Sequence, residues 1–249
     1  MNIGIIIQAR MGSTRLPRKI LRDFYEGKTL IEVLIDNLKR GENVPVIVAT
    51  SENTNNDELA RFLEQRNIPV YRGEENDVLN RFIGAADQYG IDGIIRICSD
   101  NPFLDWRGVC ALIEKARNSK ADYIGYRINN TPSIKTHFGF WAEYVTLSAL
   151  KRVVCDTDDT QAHEHVTIHI YSHPEDYHCE WIECPEFLQG RDDIRLTVDN
   201  PEDFENAQRV YAALYKTNPD FGLEDIVNYI DKNCELQFSM KQLIHNNKK

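Results

Sequence analysis

The chain has 249 residues, 42% of them apolar and 27% charged, with a formal net charge of −10. That size and composition fit a globular α/β chain able to bury a full core as one domain, 1–249. The acidic balance argues against a nucleic-acid surface, which needs a basic face, and apolar runs such as IGIII and VPVIVA are too short to span a bilayer. MNIGIII has no basic segment or small-residue cleavage site, so no signal peptide is expected. Cys98, Cys110, Cys155, Cys179, Cys184 and Cys234 lack the paired short spacings of a zinc site and read as reduced thiols of a cytoplasmic protein. Cys179 and Cys184 are expected on or beside a strand as packing residues.

The first half alternates strand and helix. IGIIIQA is a continuous apolar run suited to a buried parallel strand. LIEVLIDNL sets Leu30, Val33, Leu34 and Leu38 at helical spacing, and VPVIVATS is a second strand. DELARFLEQRN puts Leu59, Phe62 and Leu63 on one helical face, and PVYRG is a short third strand. NDVLNRFIGAADQYG repeats the helical pattern through Val78, Phe82, Ala85, Ala86 and Tyr89. GIIRICSD is a fourth strand and WRGVCALIEKARN a helix after it. Strand and helix in strict turn predict a mostly parallel, twisted sheet whose ligands bind at the carboxyl ends of its strands.

From about residue 122 the alternation breaks. DYIGYR, FGFWAEYVT and YHCEWIEC read as strands, with the helix-like LSALKRVV among them. Mixed or antiparallel additions to the sheet fit best, and an acceptor- or dimerisation-type insertion is expected within about 122–190. IRLTVD restores a strand, and PEDFENAQRVYAALY is a helix with Phe204, Ala207, Val210, Tyr211 and Leu214 inward. MKQLIHNNKK carries a short amphipathic piece and a basic, frayed end. No internal repeat or low-complexity linker divides the chain.

The stretch QARMGSTRLPRK, from Gln8 to Lys19, follows the first buried strand and concentrates Arg10, Arg15, Arg18 and Lys19. Four mutually repelling cations in an acidic chain need a counter-charge. Gly12 permits a backbone whose N–H groups converge on an anion, and Ser13 and Thr14 add hydroxyl donors. Arg10 and Arg15 offer forked donors, and Lys19 a compact point charge. A nucleoside triphosphate carries enough negative charge to hold this set, although GSTRLPRK lacks the order of a Walker A motif. A solvated basic turn is the alternative; the position after the first buried strand favours phosphate.

Asp100 ends GIIRICSD and Asp199 ends IRLTVD. Carboxylates at two strand tips beside phosphates suit Mg²⁺. Asp100 also stands where it would initiate a turn before Asn101–Pro102, and Asp199 or Asn200 would equally cap a helix opening at Pro201. In NDVLNR, Asp77 and Arg81 lie four apart at a helix start, which reads equally as a cap with a surface ion pair.

IIIQARMGSTRLPRKIL resembles the opening of the SpsF-like cytidylyltransferases, relatives of the acylneuraminate and ketodeoxyoctonate cytidylyltransferases, where the loop usually reads QARMGSTRLPGKVL. The resemblance continues through ENDVLNRF, RICSDNPFLD, EHVT and RLTVDNPEDFE, in family order from Met1 to about Ala213. It implies a Rossmann-like, GT-A-like nucleotidyltransferase fold, a three-layer α/β sandwich with a mixed, mostly parallel sheet. It further implies that the first loop cradles the triphosphate of CTP, that Asp100 and Asp199 bind Mg²⁺, and that Asp77 and Arg81 hold the base side. Backbone groups near Ala9 would help read the cytosine. An acceptor oxygen would attack the α-phosphorus in line while Arg15 and Lys19 stabilise the departing pyrophosphate.

On the acceptor side, Gly139 and Glu143 match the family pattern PxGxDxE. Trp141 stands where an aspartate is common, His163 where arginine is usual, and Arg18 where the first loop customarily has glycine. Arg127, Lys135, His137, His163, His165 and Arg195 would give a cationic setting for an acidic or sugar-like acceptor, with histidines able to take a proton near neutrality. The resemblance thus implies transfer of CMP to such an acceptor for a surface-polysaccharide or glycan precursor, and a homodimer paired through the antiparallel middle is compatible with it. Two other readings share the sheet. A GT-A-type glycosyltransferase would carry a D-x-D metal pair, where this chain has Ser99-Asp100-Asn101, and a nucleotide-sensing subunit would keep the loop without the acceptor site.

Overall fold

The computed structural model describes residues 1–246, so the basic end at Lys248 and Lys249 lies outside the described residues. The elements run β1 (Ile3–Gln8), β2 (Asp23–Tyr25), β3 (Lys28–Thr29), α1 (Leu30–Leu38), β4 (Val46–Ser51), α2 (Asp57–Glu64), β5 (Val70–Gly73), α3 (Val78–Tyr89), β6 (Gly93–Cys98) and α4 (Trp106–Arg117). They continue with β7 (Tyr123–Ile128), β8 (Thr131–Pro132), β9 (Glu143–Thr146), α5 (Leu147–Asp156), α6 (Thr160–His165), α7 (Ile168–Ser172) and β10 (Cys179–Glu183), then α8 (Pro201–Thr217), α9 (Leu223–Asp231) and α10 (Cys234–Asn246).

The main sheet has the order β10-β7-β9-β6-β1-β4-β5, with β8 added to β7. β1 pairs in parallel with β4 and β6, and β4 with β5. β9 runs antiparallel between β6 and β7, and β10 lies parallel to β7. The sheet is therefore mixed and mostly parallel, as expected, and the antiparallel additions lie where the alternation breaks. Cys179 opens β10 and the buried Cys184 follows it.

Both faces of the sheet are covered, which explains the unbroken apolar runs. Ile5 and Ile7 of β1 enter one apolar layer with Leu34 of α1, Leu112 of α4 and Val210 of α8. Ile6 enters the opposite layer with Phe82 of α3 and Leu150 of α5. Helix starts are fixed locally. Thr29 and Glu32 form a capping box on α1, Asp77 caps α3, and Asn200 with Asp203 forms a capping box on α8 with Pro201 in its first turn.

Several expectations need correction. IRLTVD bends at Thr197 and joins no ladder, because it lies across loop backbone: Leu196 and Thr197 N–H donate to the His137 carbonyl, and Val198 N–H to that of Asp100. Its alternation survives, with Ile194, Leu196 and Val198 in the core. FGFWAEYVT is strand only from Glu143, since Gly139 adopts φ 67° and the rings of Phe138, Phe140 and Trp141 pack on one another before it. The β2–β3 ribbon and helices α6, α7 and α9 were not anticipated, and the amphipathic part of the tail belongs to α10.

Glu143 is buried on β9 beneath the strand tips. It forms an ion pair with Arg96 and accepts hydrogen bonds from Tyr123 Oη at 2.7 Å and Thr167 Oγ1 at 3.0 Å. Thr167 arrives there through a tight γ-turn centred on Val166, at φ 60° and ψ −58°, closed by Thr167 N–H donating to the His165 carbonyl at 2.6 Å. A buried β-branched residue in that conformation stores roughly 1–3 kcal/mol of strain, held by its surroundings.

Candidate active site

The basic loop leaves β1 at the centre of the sheet, where crossovers diverge on its two sides. Three of its side chains, Met11, Leu16 and Ile20, are buried in the core and pin it, and Met11 N–H donates to Asn56 Oδ1 at 2.8 Å. The anchors leave the residues between them to turn toward the strand ends. Gln8, Arg10, Gly12, Ser13, Thr14, Arg15 and Lys19 line a cavity of about 250 Å³ together with Cys98, Ser99, Asp100 and Asp199. Residues some hundred and two hundred positions apart thus meet at one rim.

Each carboxylate faces a cation of the loop. Lys19 Nζ lies 3.2 Å from Asp100 Oδ2 and donates to the Val198 carbonyl at 2.7 Å. Arg15 lies 3.4 Å from Asp199 Oδ1. Asn200, not Asp199, caps α8, so the Asp199 side chain remains directed to the cavity. Arg195 positions it. This buried guanidinium donates to Asp203 at 2.6 and 2.8 Å, to Asp199 Oδ2 at 3.0 Å, and contacts His137 Nδ1 at 2.7 Å. It is a structural clamp on the Asp199 segment, where a cation for the acceptor was expected. The Asp203 side chain also receives the Asp199 and Asn200 N–H groups.

Gly12 is outside the left-handed region, and a Cβ there would meet open space, so the loop does not depend on its conformational freedom. Arg18 carries that burden instead, at φ 60°, and its side chain turns away to pair with Glu58. Ala9 is buried at the tip of β1, its N–H donating to Ala49.

Arg81 is 1% exposed, and its Nε and Nη1 have no hydrogen-bond partner. Burial, then the neighbouring Arg10 charge, push its guanidinium below the ordinary value. Of the alternative reading, a cap with a surface ion pair to Arg81, the Asp77 cap forms and the ion pair does not. Asp77 accepts from the Asn80 N–H at 2.9 Å and faces His163 Nδ1 at 2.9 Å. Burial opposes the charge of each partner, yet contact with Asp77 holds the His163 imidazole above its ordinary value, and hydrogen bonds from Asn80, then His163, hold the Asp77 carboxyl below its own.

The remaining acceptor-side residues are dispersed. Arg127 pairs with Glu183, Lys135 lies over the Tyr171 ring at 5.0 Å, and His165 is exposed. Glu143 reaches the cavity only indirectly, since Arg96 also donates to Gln8 Oε1 at 3.3 Å. Gly139 lines a smaller adjoining cavity with Asn101, Trp141 and Thr197, and Asp100 borders both. Sequence reasoning missed Gln8, Cys98 and Ser99 at the rim, although strand ends in a parallel sheet are the places to look. Among the described residues no group of three or more His, Cys, Asp or Glu could hold a metal ion, and no helix is long and apolar enough to cross a membrane.

The site belongs to a recognisable lineage. The chain is 31% identical over 240 residues to the spore coat polysaccharide biosynthesis protein SpsF of Bacillus subtilis, covering 93% of this chain and 95% of that one. A solved cytidylyltransferase from Leptospira borgpetersenii superposes with a TM-score of 0.84 at 26% identity, covering 95% and 96% of the two chains. A CMP:2-keto-3-deoxy-manno-octonic acid synthetase solved with CTP shares the fold at a TM-score of 0.64 and 17% identity, over 86% of this chain and 99% of that one. Residues 4–241 match the cytidylyltransferase family model, and the chain is an enzyme of the cytidylyltransferase family.

Proposed function

We propose that the protein transfers CMP from CTP to a sugar or similar acceptor, releasing pyrophosphate, in the cytoplasmic synthesis of a surface-glycan precursor. The observation that carries this reading is the single cavity in which Arg10, Arg15 and Lys19 converge with Asp100 and Asp199. The name of the Bacillus relative supports the polysaccharide setting. The CTP in the octonic acid synthetase structure supports the nucleotide.

Lys19 pairs with Asp100 and Arg15 with Asp199. A triphosphate entering the cavity offers both cations a stronger partner and leaves the carboxylates facing the phosphate oxygens. That donor set, two carboxylates and phosphates, fits Mg²⁺, which is commonly held by one or two protein carboxylates plus substrate. Asp100 and Asp199 would hold the ion, which when bound supplies charge neutralisation and polarises the α-phosphoryl oxygen.

The acceptor oxygen bonds to the α-phosphorus as the bond to the β-phosphate oxygen breaks. Lys19 and Arg15 take up the charge that grows on the leaving pyrophosphate. Arg10 and the loop hydroxyls of Ser13 and Thr14 hold the remaining phosphate oxygens. Arg81 reads the base. Its unpartnered N–H groups suit the O2 and N3 acceptors of cytosine, whereas uracil presents a donor at N3. Asp77, capping α3 and engaged with His163, holds Arg81 in place through the helix. Glu143 acts as a positioning residue for Gln8 through Arg96.

The test is pyrophosphate release from CTP and Mg²⁺ with a panel of sugars and sugar acids. Release that depends on both CTP and an acceptor, and is lost in Asp100→Asn, is expected. Release that is equal with UTP, or unaffected by Asp100→Asn, contradicts the reading.

A further inference from the structure

Asp100 stands between the phosphate-loop cavity and a second one of about 80 Å³, whose lining includes Asn101, Ser133, Gly139, Trp141 and Thr197. Two polar atoms of that lining are orphaned. Asn101 is 6% exposed and Thr197 5%, and neither Asn101 Oδ1 nor Thr197 Oγ1 has a hydrogen-bond partner. Each such atom costs stability that an apolar side chain of the same shape would not. Fold requirements alone do not explain keeping both at one place.

Gly139 explains why the space stays open. A Cβ there would fall 2.8 Å from Asn101 Oδ1 and 3.2 Å from Thr197 Cγ2, and the residue sits at φ 67°, where side chains are strained. Only glycine fits here without pressing on both side chains. Trp141 adds an apolar part of the lining, buried and stacked on Tyr126 with ring centroids 5.3 Å apart. No cation lines this cavity: Lys135, between the lining residues Ile134 and Thr136, lies over the Tyr171 ring at 5.0 Å, Arg127 pairs with Glu183, and Arg195 pairs with Asp203 and Asp199.

We infer that this cavity is the acceptor subsite and that it takes an uncharged, hydroxyl-bearing segment of the acceptor, read by Asn101 and Thr197. Asn101 Oδ1 accepts from one hydroxyl, Thr197 Oγ1 exchanges a hydrogen bond with another, and the C–H face of the segment lies on Trp141. Asp100, shared by both cavities, sets this segment beside the nucleotide. Any acidic group of the acceptor then points out of the cavity. The inference rests on the proposed CMP transfer and adds the chemistry of its second substrate.

The experiment compares wild type with Thr197→Val and Gly139→Ala. Pyrophosphate release is followed with CTP and Mg²⁺ against aldoses, alditols, their phosphates and 3-deoxy-2-ulosonic acids, and CTP-induced thermal shifts are recorded in parallel. Wild type is expected to use at least one acceptor bearing a free polyol segment. Thr197→Val is expected to raise KM for that acceptor about tenfold, with KM for CTP unchanged and with a melting temperature equal to or above wild type. Gly139→Ala is expected to lose acceptor turnover yet keep the CTP-induced shift. The inference is overturned if Thr197→Val melts lower and leaves acceptor KM unchanged, which marks a structural water site, or if wild type turns over no hydroxylated member of the panel. If wild type shows no CTP-induced shift, the nucleotide reading fails; if the shift is present and the variants behave as wild type, the subsite alone fails.

Discussion

Lys19 Nζ lies 3.2 Å from the Asp100 carboxylate and also donates to the backbone carbonyl of Val198. One ammonium thereby ties the first loop, the tip of β6 and the segment ahead of α8. Its side chain is only 11% exposed, so the charge acts in a partly desolvated place where electrostatic contributions are large. Lys19→Met is expected to lower kcat by roughly 10²–10³-fold, the magnitude typical of removing one preorganised charge-stabilising donor. Steady-state pyrophosphate release measures it, with Lys19→Arg recovering only part of the rate because a fork replaces a point charge.

Arg18 occupies the left-handed region at φ 60° and ψ 20°, where a side chain is disfavoured. Its ion pair with Glu58 is exposed on both sides and contributes little. Arg18→Gly is therefore expected to stabilise the protein by about 1 kcal/mol through relief of the left-handed conformation. The midpoint of urea unfolding reads this directly.

Glu143 is the partner of a buried guanidinium, so removing it leaves Arg96 uncompensated. Glu143→Ala is expected to cost about 3–5 kcal/mol of stability. Equilibrium denaturation is the check. A selective rise in acceptor KM with unchanged stability would instead mark Glu143 as a direct acceptor contact.

The Asp77–His163 contact makes stability pH-dependent. Because the folded His163 value lies above its ordinary 6.5, its contribution is full below that pH and fades as pH rises through the folded value. Because the folded Asp77 value lies below its ordinary 3.8, its contribution is present above that pH and fades as pH falls through the folded value. The pair stabilises most between these limits. The stability difference between wild type and His163→Gln is expected to shrink as pH is raised from 5.5 to 8.5, measured by urea unfolding at each pH.

Much of this was legible in the chain. Runs such as IGIII betrayed a sheet covered on both faces, and the helical spacing of Leu30, Val33, Leu34 and Leu38 marked α1 because local periodicity and core-facing burial coincide there. The convergence of the basic loop with Asp100 and Asp199 followed from the rule that parallel strands deliver their carboxyl ends to one rim. On the acceptor side Gly139 was marked, but the arrangement of the basic residues was not legible. Arg127, Arg195 and His163 look like a cationic pocket in sequence, but each is engaged by a carboxylate whose position depends on tertiary folding: Glu183, Asp203 and Asp77. Neither the strained turn at Val166 nor the orphaned atoms of Asn101 and Thr197 leaves a trace in composition or spacing. IRLTVD failed as a strand for a related reason. Its alternation reports which apolar side chains enter the core, Ile194, Leu196 and Val198, and carries no information on whether a neighbouring strand is there to pair with it.

On the proposed reading, this rim grips a cytidine triphosphate through its loop cations and two carboxylates. The most direct measurement is the melting temperature of the wild-type protein with each of the four ribonucleoside triphosphates, with and without Mg²⁺, since a ligand that binds the native state raises it. A clear rise with CTP that grows when Mg²⁺ is added and is lost in Lys19→Met is expected, with smaller rises for UTP, ATP and GTP. Equal shifts for all four nucleotides, or none with CTP, would contradict it.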